Sequence, residues 1–230
     1  VLAGTGALNN IKVSEVIMNT KPILFNSEMV CAILDGRKIQ TRRPVDGPKR
    51  AYPDNHWSII NNELVSWPGD FAETEPLRCP YGEVGDLLWA KESYRTCSQC
   101  DYVKPSLLSR GEPILYEADQ MVRTTGCVMI KPGKLRRMRF MPRWASRLTL
   151  EITSVRVERL QDISESDAEA EGIESILVPP DGGSQPYREG FKNLWGSIYQ
   201  NWDANPWVWV IEFKVHHCSV DAFLAKGEAA

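Results

Sequence analysis

The stretch Met29-Val30-Cys31-Ala32-Ile33-Leu34-Asp35-Gly36-Arg37-Lys38-Ile39-Gln40-Thr41-Arg42-Arg43-Pro44-Val45 decides how the rest of this chain is read. Met29, Val30, Ile33 and Leu34 recur at helical spacing behind two capping residues, Asn26 and Ser27, so the pattern predicts a short helix. Gly36 is the residue type that ends a helix in a left-handed conformation. Immediately after it, Arg37, Lys38, Arg42 and Arg43 place four cations around Thr41 before Pro44 closes the run. Like charge gathered at a helix end suits an anionic ligand, although a basic run is often plain solvated surface.

Outward from this stretch, Pro22 to Phe25 reads as a strand leading into the helix, and Trp57-Ser58-Ile59-Ile60 with Leu64-Val65-Ser66-Trp67 as a hairpin turning at Asn61-Asn62. Gly82 and Gly85 punctuate the approach to an apolar strand at Leu87 to Ala90. A further strand is expected at Ile114 to Ala118, inside a loop-rich insertion at about 93–134. From Arg147 to Leu160 apolar and polar residues alternate, with Leu148, Leu150 and Ile152 on one face, as in a half-buried strand. Ser164 and Asp167 form a capping-box variant, predicting a helix over 165–171 that ends at Gly172. Pro179 to Pro186 reads as a loop. Phe191, Leu194, Trp195, Ile198 and Tyr199 mark one helix face, and Trp209, Ile211, Phe213 and Val215 one face of a last long strand. Strands interleaved with short helices and closed by a far-returning strand predict an α+β fold, a small mixed β-barrel with flanking helices. Residues 18–218 form one domain on this reading, with 1–17 an extension or remnant and 219–230 a flexible tail.

The chain has 230 residues and a net charge of −3, which gives no global sign of nucleic-acid binding. A local one exists. Lys131 to Leu150 holds seven Lys and Arg residues and no acid, and Arg136, Arg137, Arg139, Arg143 and Arg147 interleave with Phe140 and Trp144, the mixture that splayed bases favour. The competing expectation is a hairpin with its aromatics in the core and its arginines in water. The six cysteines do not make a disulfide framework. Cys97 and Cys100 form a C-x-x-C pair that Cys79 and Cys127 could complete to a four-thiolate structural zinc site, or all four are plain thiols. No secretory pattern or membrane-length apolar run is visible, so a cytoplasmic protein of a reducing compartment is expected. The three histidines sit in no nucleophile or zincin motif.

Ala32 to Arg43, followed by Gly85-Asp86-Leu87-Leu88-Trp89, the strand Ile152 to Leu160 and Trp209-Val210-Ile211-Glu212-Phe213, resembles the ASCH family of the PUA-like superfamily. Met141 to Arg147 and Arg156 to Ser164 are similar to its longer phage and prophage members. The resemblance implies a PUA-like mixed β-barrel whose cleft, lined by the turn after Gly36, binds RNA or a nucleoside. In some small members a threonine, a lysine and a glutamate hydrolyse the amide of N4-acetylcytidine without a metal, and the matching positions are Thr41, Lys38 and Glu171. Arg37, Arg42 and Arg43, with Arg139, Arg143, Trp144 and Arg147, become candidate nucleic-acid contacts. For the residues themselves, Lys38 serves as a base only with a depressed pKa, which crowding by arginines and burial both favour. The dipole of the helix that Glu171 closes biases its carboxyl toward the protonated form. Residues three apart in a regular strand face opposite ways, so Lys38 and Thr41 meet only across a turn or bulge. Two other readings stand beside the hydrolase: a non-catalytic RNA- or DNA-binding module, and a ribonuclease using the same cationic cleft.

Overall fold

A computed structural model describes residues 18–45, 56–60, 63–67, 77–175 and 186–227; the expected 1–17 extension, the turn at Asn61-Asn62 and most of the loop at 179–186 lie outside these. The fold is α+β. Its centre is a five-stranded sheet in the order β1-β5-β9-β10-β2, made of β1 (Thr20–Leu24), β5 (Leu87–Lys91), β9 (Thr149–Arg159), β10 (Trp207–His216) and β2 (Gln40–Pro44). β1 and β5 run parallel and the other pairs antiparallel. β1 and β2 are the two edges, so no hydrogen-bonded strand pair closes the barrel among the described residues. The Arg43 guanidinium nevertheless reaches from β2 to donate to the Leu24 carbonyl at 2.8 Å.

The expected strand β10 is buried on both faces, which explains its nearly continuous apolar run. Trp209, Ile211 and Phe213 join Ile23, Phe25, Val30, Ile33, Leu88, Leu150 and Ile152 in the main core. Val208 and Val210 pack on the other side with Leu160, Ile163, Phe191 and Trp195, beneath α3 (Pro186–Ile198). Between Glu212 and Phe213 the register with β9 slips, pairing Glu212 with Ser154 but Phe213 with Ile152. Thr153 is the extra residue of a bulge.

The helix α1 (Ser27–Leu34) forms as its spacing predicts: the Asn26 side chain accepts from the Met29 N–H at 2.8 Å, and Gly36 takes φ +75°. The hairpin of β3 (His56–Ile60) and β4 (Glu63–Trp67) is present. The insertion is organised around β6 (Tyr94–Arg95), β7 (Ile114–Tyr116) and β8 (Val122–Arg123). Its own core unites Tyr94, Leu108, Ile114 and Tyr116 with Met141 and Ala145, so the unit extends past residue 134. The expected flexible tail is instead a helix, α4 (Val220–Gly227), with Val220 buried against Leu87 and Trp89. Val220, Phe223 and Leu224 at i, i+3 and i+4 are the signal for it.

Candidate functional site

Two local turns bring distant residues together. After α1, the Arg37 and Lys38 N–H groups both donate to the Ala32 carbonyl at 2.9 Å, folding the basic run back over the helix end. On the other side, the Ser164 side chain caps α2 (Glu165–Ala170), and Glu171 is its C-cap residue. Gly172 follows with φ +81°. A Cβ built there would stand 2.7 Å from the Cβ atoms of both Ala32 and Lys38, so only glycine lets the two turns approach this closely. The Ile39 N–H donates to the Ala170 carbonyl at 2.9 Å, and Lys38 forms an antiparallel bridge with Glu171.

The outcome is a buried ion pair. Lys38 Nζ lies 2.7 Å from Glu171 Oε2 and also donates to the Glu171 carbonyl at 2.9 Å. Lys38 is 0 % exposed and Glu171 3 %. Burial pushes the Lys38 ammonium below the ordinary lysine range; the Glu171 carboxylate opposes that shift, while Arg43 and Arg42 add to it. Of the three arginines expected to crowd Lys38, Arg37 takes no part in this shift: its guanidinium bonds Asp35 and the Gly172 carbonyl at the surface.

Thr41 sits in β2 opposite Ile211, 1 % exposed, and its Oγ1 has no hydrogen-bond partner. It lies three residues from Lys38 and is not bonded to Lys38 or Glu171. An orphaned buried hydroxyl costs about 1–3 kcal/mol, so it is a group held ready for a partner or a tolerated defect.

Arg42 and Arg43 are corrected from the expectation of phosphate contacts. Arg42 is 2 % and Arg43 8 % exposed. Arg42 spans Glu158 at 2.9 Å, Asp167 at 3.3 Å and the second oxygen of Glu171 at 3.4 Å. Arg156 extends the network through Glu158, Asp167 and Glu212. Arg43 lies over the Phe25 ring, its centre 5.2 Å away. Charge this deeply enclosed must be paired internally, and a polyanion cannot reach it. The acids that neutralise Arg42 were missed from sequence because only tertiary pairing brings them to β2.

The second basic stripe is likewise divided. Arg136 is buried, donating to the Cys100 and Val103 carbonyls. Arg147 binds Glu92 and Asp119 and lies 3.9 Å over Tyr116, while Arg143 pairs with Asp221 and Thr20. Trp144 packs at the insertion core beneath Arg123. Of the residues expected at a nucleic-acid contact, Arg143, Trp144 and Arg147 are thus half-buried and partnered within the chain, and Arg139 is exposed. Cys79, Cys97, Cys100 and Cys127 are free thiols, and among the described residues no three His, Cys, Asp or Glu groups converge to hold a metal.

Access comes from a cleft of about 660 Å³ between α1 and α3, lined by Met29, Arg37, Glu171, Gly172, Asn193 and Leu194 among others. Glu171 also borders a smaller enclosed space with Arg42, Arg43, Phe191, Trp195 and Tyr199. Glu171 is thus the member of the trio that borders open volume, and Lys38 is bonded to it. No helix among the described residues is long and apolar enough to cross a membrane. No family model matches this chain, and no curated protein or solved structure matches it.

Proposed function

We propose that this chain is an ASCH-type, PUA-like protein that binds a modified nucleoside or the RNA bearing it, and hydrolyses an N-acyl amide on a cytosine-like base without a metal. One observation carries the reading: a fully buried lysine with a lowered pKa, held at 2.7 Å by a glutamate that borders the cleft, with the hydroxyl of Thr41, three residues on, buried and unpartnered. The barrel assignment is supported by the sheet order, with α1 joining its two edge strands and Arg43 spanning them.

In the proposed reaction the neutral Lys38 amine takes the Thr41 hydroxyl proton as Oγ1 attacks the acyl carbonyl carbon. The carbon–nitrogen bond then breaks, the Lys38 ammonium protonates the departing exocyclic nitrogen, and an ester remains on Thr41. Water attacks that ester, giving one proton to Lys38, which returns it to the threonine oxygen as the carboxylic acid leaves. Glu171 holds and orients the amine through both its carboxylate and its carbonyl. A base with its pKa drawn toward the working pH is what such a step needs.

The enclosure of Lys38, Thr41 and Glu171, none more than 3 % exposed, favours a second reading: a non-catalytic module whose trio is structural. Incubating the protein with N4-acetylcytidine and measuring release of cytidine separates the two. Turnover by the wild type that is abolished in Lys38→Ala and Thr41→Ala, with substrate binding retained, supports the hydrolase; binding with no wild-type turnover leaves the module.

A further inference from the structure

The insertion carries a surface that the hydrolase reading does not use. Lys131, Lys134, Arg137 and Arg139 are all exposed, and none forms an ion pair with an acid among the described residues. Among the insertion's acids, Glu112 faces the Cys100 thiol, and three others have partners. Asp101 accepts the Lys134 backbone N–H, Glu117 pairs with Arg95, and Asp119 with Arg147. The segment is held in place by backbone bonds: Ser98 N–H to the Lys131 carbonyl, Gly133 N–H to Thr96, and reciprocal bonds between Tyr94 and Arg136. At its end the Lys91 ammonium donates to the Arg139 carbonyl at 2.6 Å.

Apolar and aromatic side chains are exposed alongside. Tyr102 is 87 % exposed, next to the Asp101 that binds Lys134, and Phe140 is 54 % exposed with the Arg139 guanidinium 5.9 Å above its ring. Folding normally buries large rings, so two of them left open among unneutralised cations mark a surface made for a partner. Cations spaced along an ordered backbone beside open ring faces match a phosphodiester chain with unstacked bases. The run from Lys131 to Arg139 reaches at most about 28 Å when extended, which suits a short single strand.

We propose that Lys131, Lys134, Arg137 and Arg139, with Tyr102 and Phe140, form a docking strip for single-stranded nucleic acid, separate from the Lys38–Glu171 site. The proposal goes beyond the hydrolase reading and does not depend on it. The strip supplies affinity for the polynucleotide and leaves chemistry to the other site.

Fluorescence anisotropy with labelled single strands of about ten nucleotides, RNA and DNA in separate arms, tests it across a salt series. Four phosphate contacts predict a slope of log affinity against log salt near −2.8, at about −0.7 per contact. Arg137→Glu combined with Arg139→Glu should halve that slope or more and weaken binding at least about ten-fold. Tyr102→Ala with Phe140→Ala should weaken binding with the slope unchanged. Lys192→Glu, on α3, should bind as the wild type does. RNA-only, DNA-only or equal binding each fits the strip and names its ligand. Absence of single-strand binding by the wild type, binding unchanged in the double charge reversal, or capture by anionic vesicles with no strand binding overturns the proposal. Because none of the strip residues belongs to the Lys38–Glu171 site, failure here and failure of hydrolysis are read independently.

Discussion

Two basic stretches of similar composition meet opposite fates. Around 37–43, Lys38 and Arg42 are enclosed and paired with Glu171, Glu158 and Asp167, and Arg43 is enclosed over the Phe25 ring with its guanidinium on backbone carbonyls. Around 131–139, Lys131, Lys134, Arg137 and Arg139 stay in solvent with no ion pair to an acid among the described residues. Enclosed charge is costly unless paired, so the first stretch determines how α2 packs onto β2 and sets the pKa of one amine. Exposed charge costs little and is available to a ligand. The first region is suited to proton transfer on a small molecule, the second to electrostatic capture of a large one.

The contrast is broken most severely by removing the acid from the enclosed region. Glu171→Ala leaves Lys38 buried without its partner and should lower unfolding free energy by about 3–5 kcal/mol in denaturant titration; a loss below 1 kcal/mol would mean that the pair is solvated. A smaller effect is expected from pH. The folded state lowers the Lys38 pKa through burial, so between that value and the ordinary one of about 10.4 the unfolded chain binds more protons, and stability rises with pH. Subtracting the stability of Lys38→Met from that of the wild type should give a difference that grows as pH is raised toward that ordinary value and levels off beyond it.

Thr41→Val removes the orphaned hydroxyl while keeping its shape. Stability should rise by about 1 kcal/mol while hydrolysis is lost; a fall in thermal midpoint would show that the hydroxyl has a partner in solution. At the open strip the expectation is smallest. Arg139→Ala should change stability by less than about 0.5 kcal/mol and be visible only in binding.

What could be read from the sequence follows the range of the forces involved. Asn26 to Gly36 and Ser164 to Gly172 are local devices, with the cap, the apolar spacing and the terminal glycine all within one segment, and both helices form between them. The strand pattern of 147–160 and the apolar face of Trp209, Ile211 and Phe213 in β10 were equally legible, because period two is written along the chain, whereas burial of its other face under α3 came only with the fold. The enclosure of Arg42 was not. It depends on Glu158 and Asp167, more than a hundred residues away, and a sequence window records the arginine's charge but not its neighbours. Arg136 and Arg147 misled for the same reason, being absorbed by carbonyls and carboxylates of the insertion. Gly172 shows the opposite case. Its place as a helix terminator was visible, but its second task, admitting the backbone of Lys38 at van der Waals range, needed the assembled fold.

The comparison itself is tested most directly by lysine-selective acylation of the native protein, read residue by residue by mass spectrometry. Lys131 and Lys134 should be modified at the rate of free surface amines, while Lys38 stays unlabelled until the protein is unfolded. Labelling of Lys38 at a rate equal to theirs would contradict the account, because an amine open to reagent is neither enclosed with Glu171 nor shifted by burial.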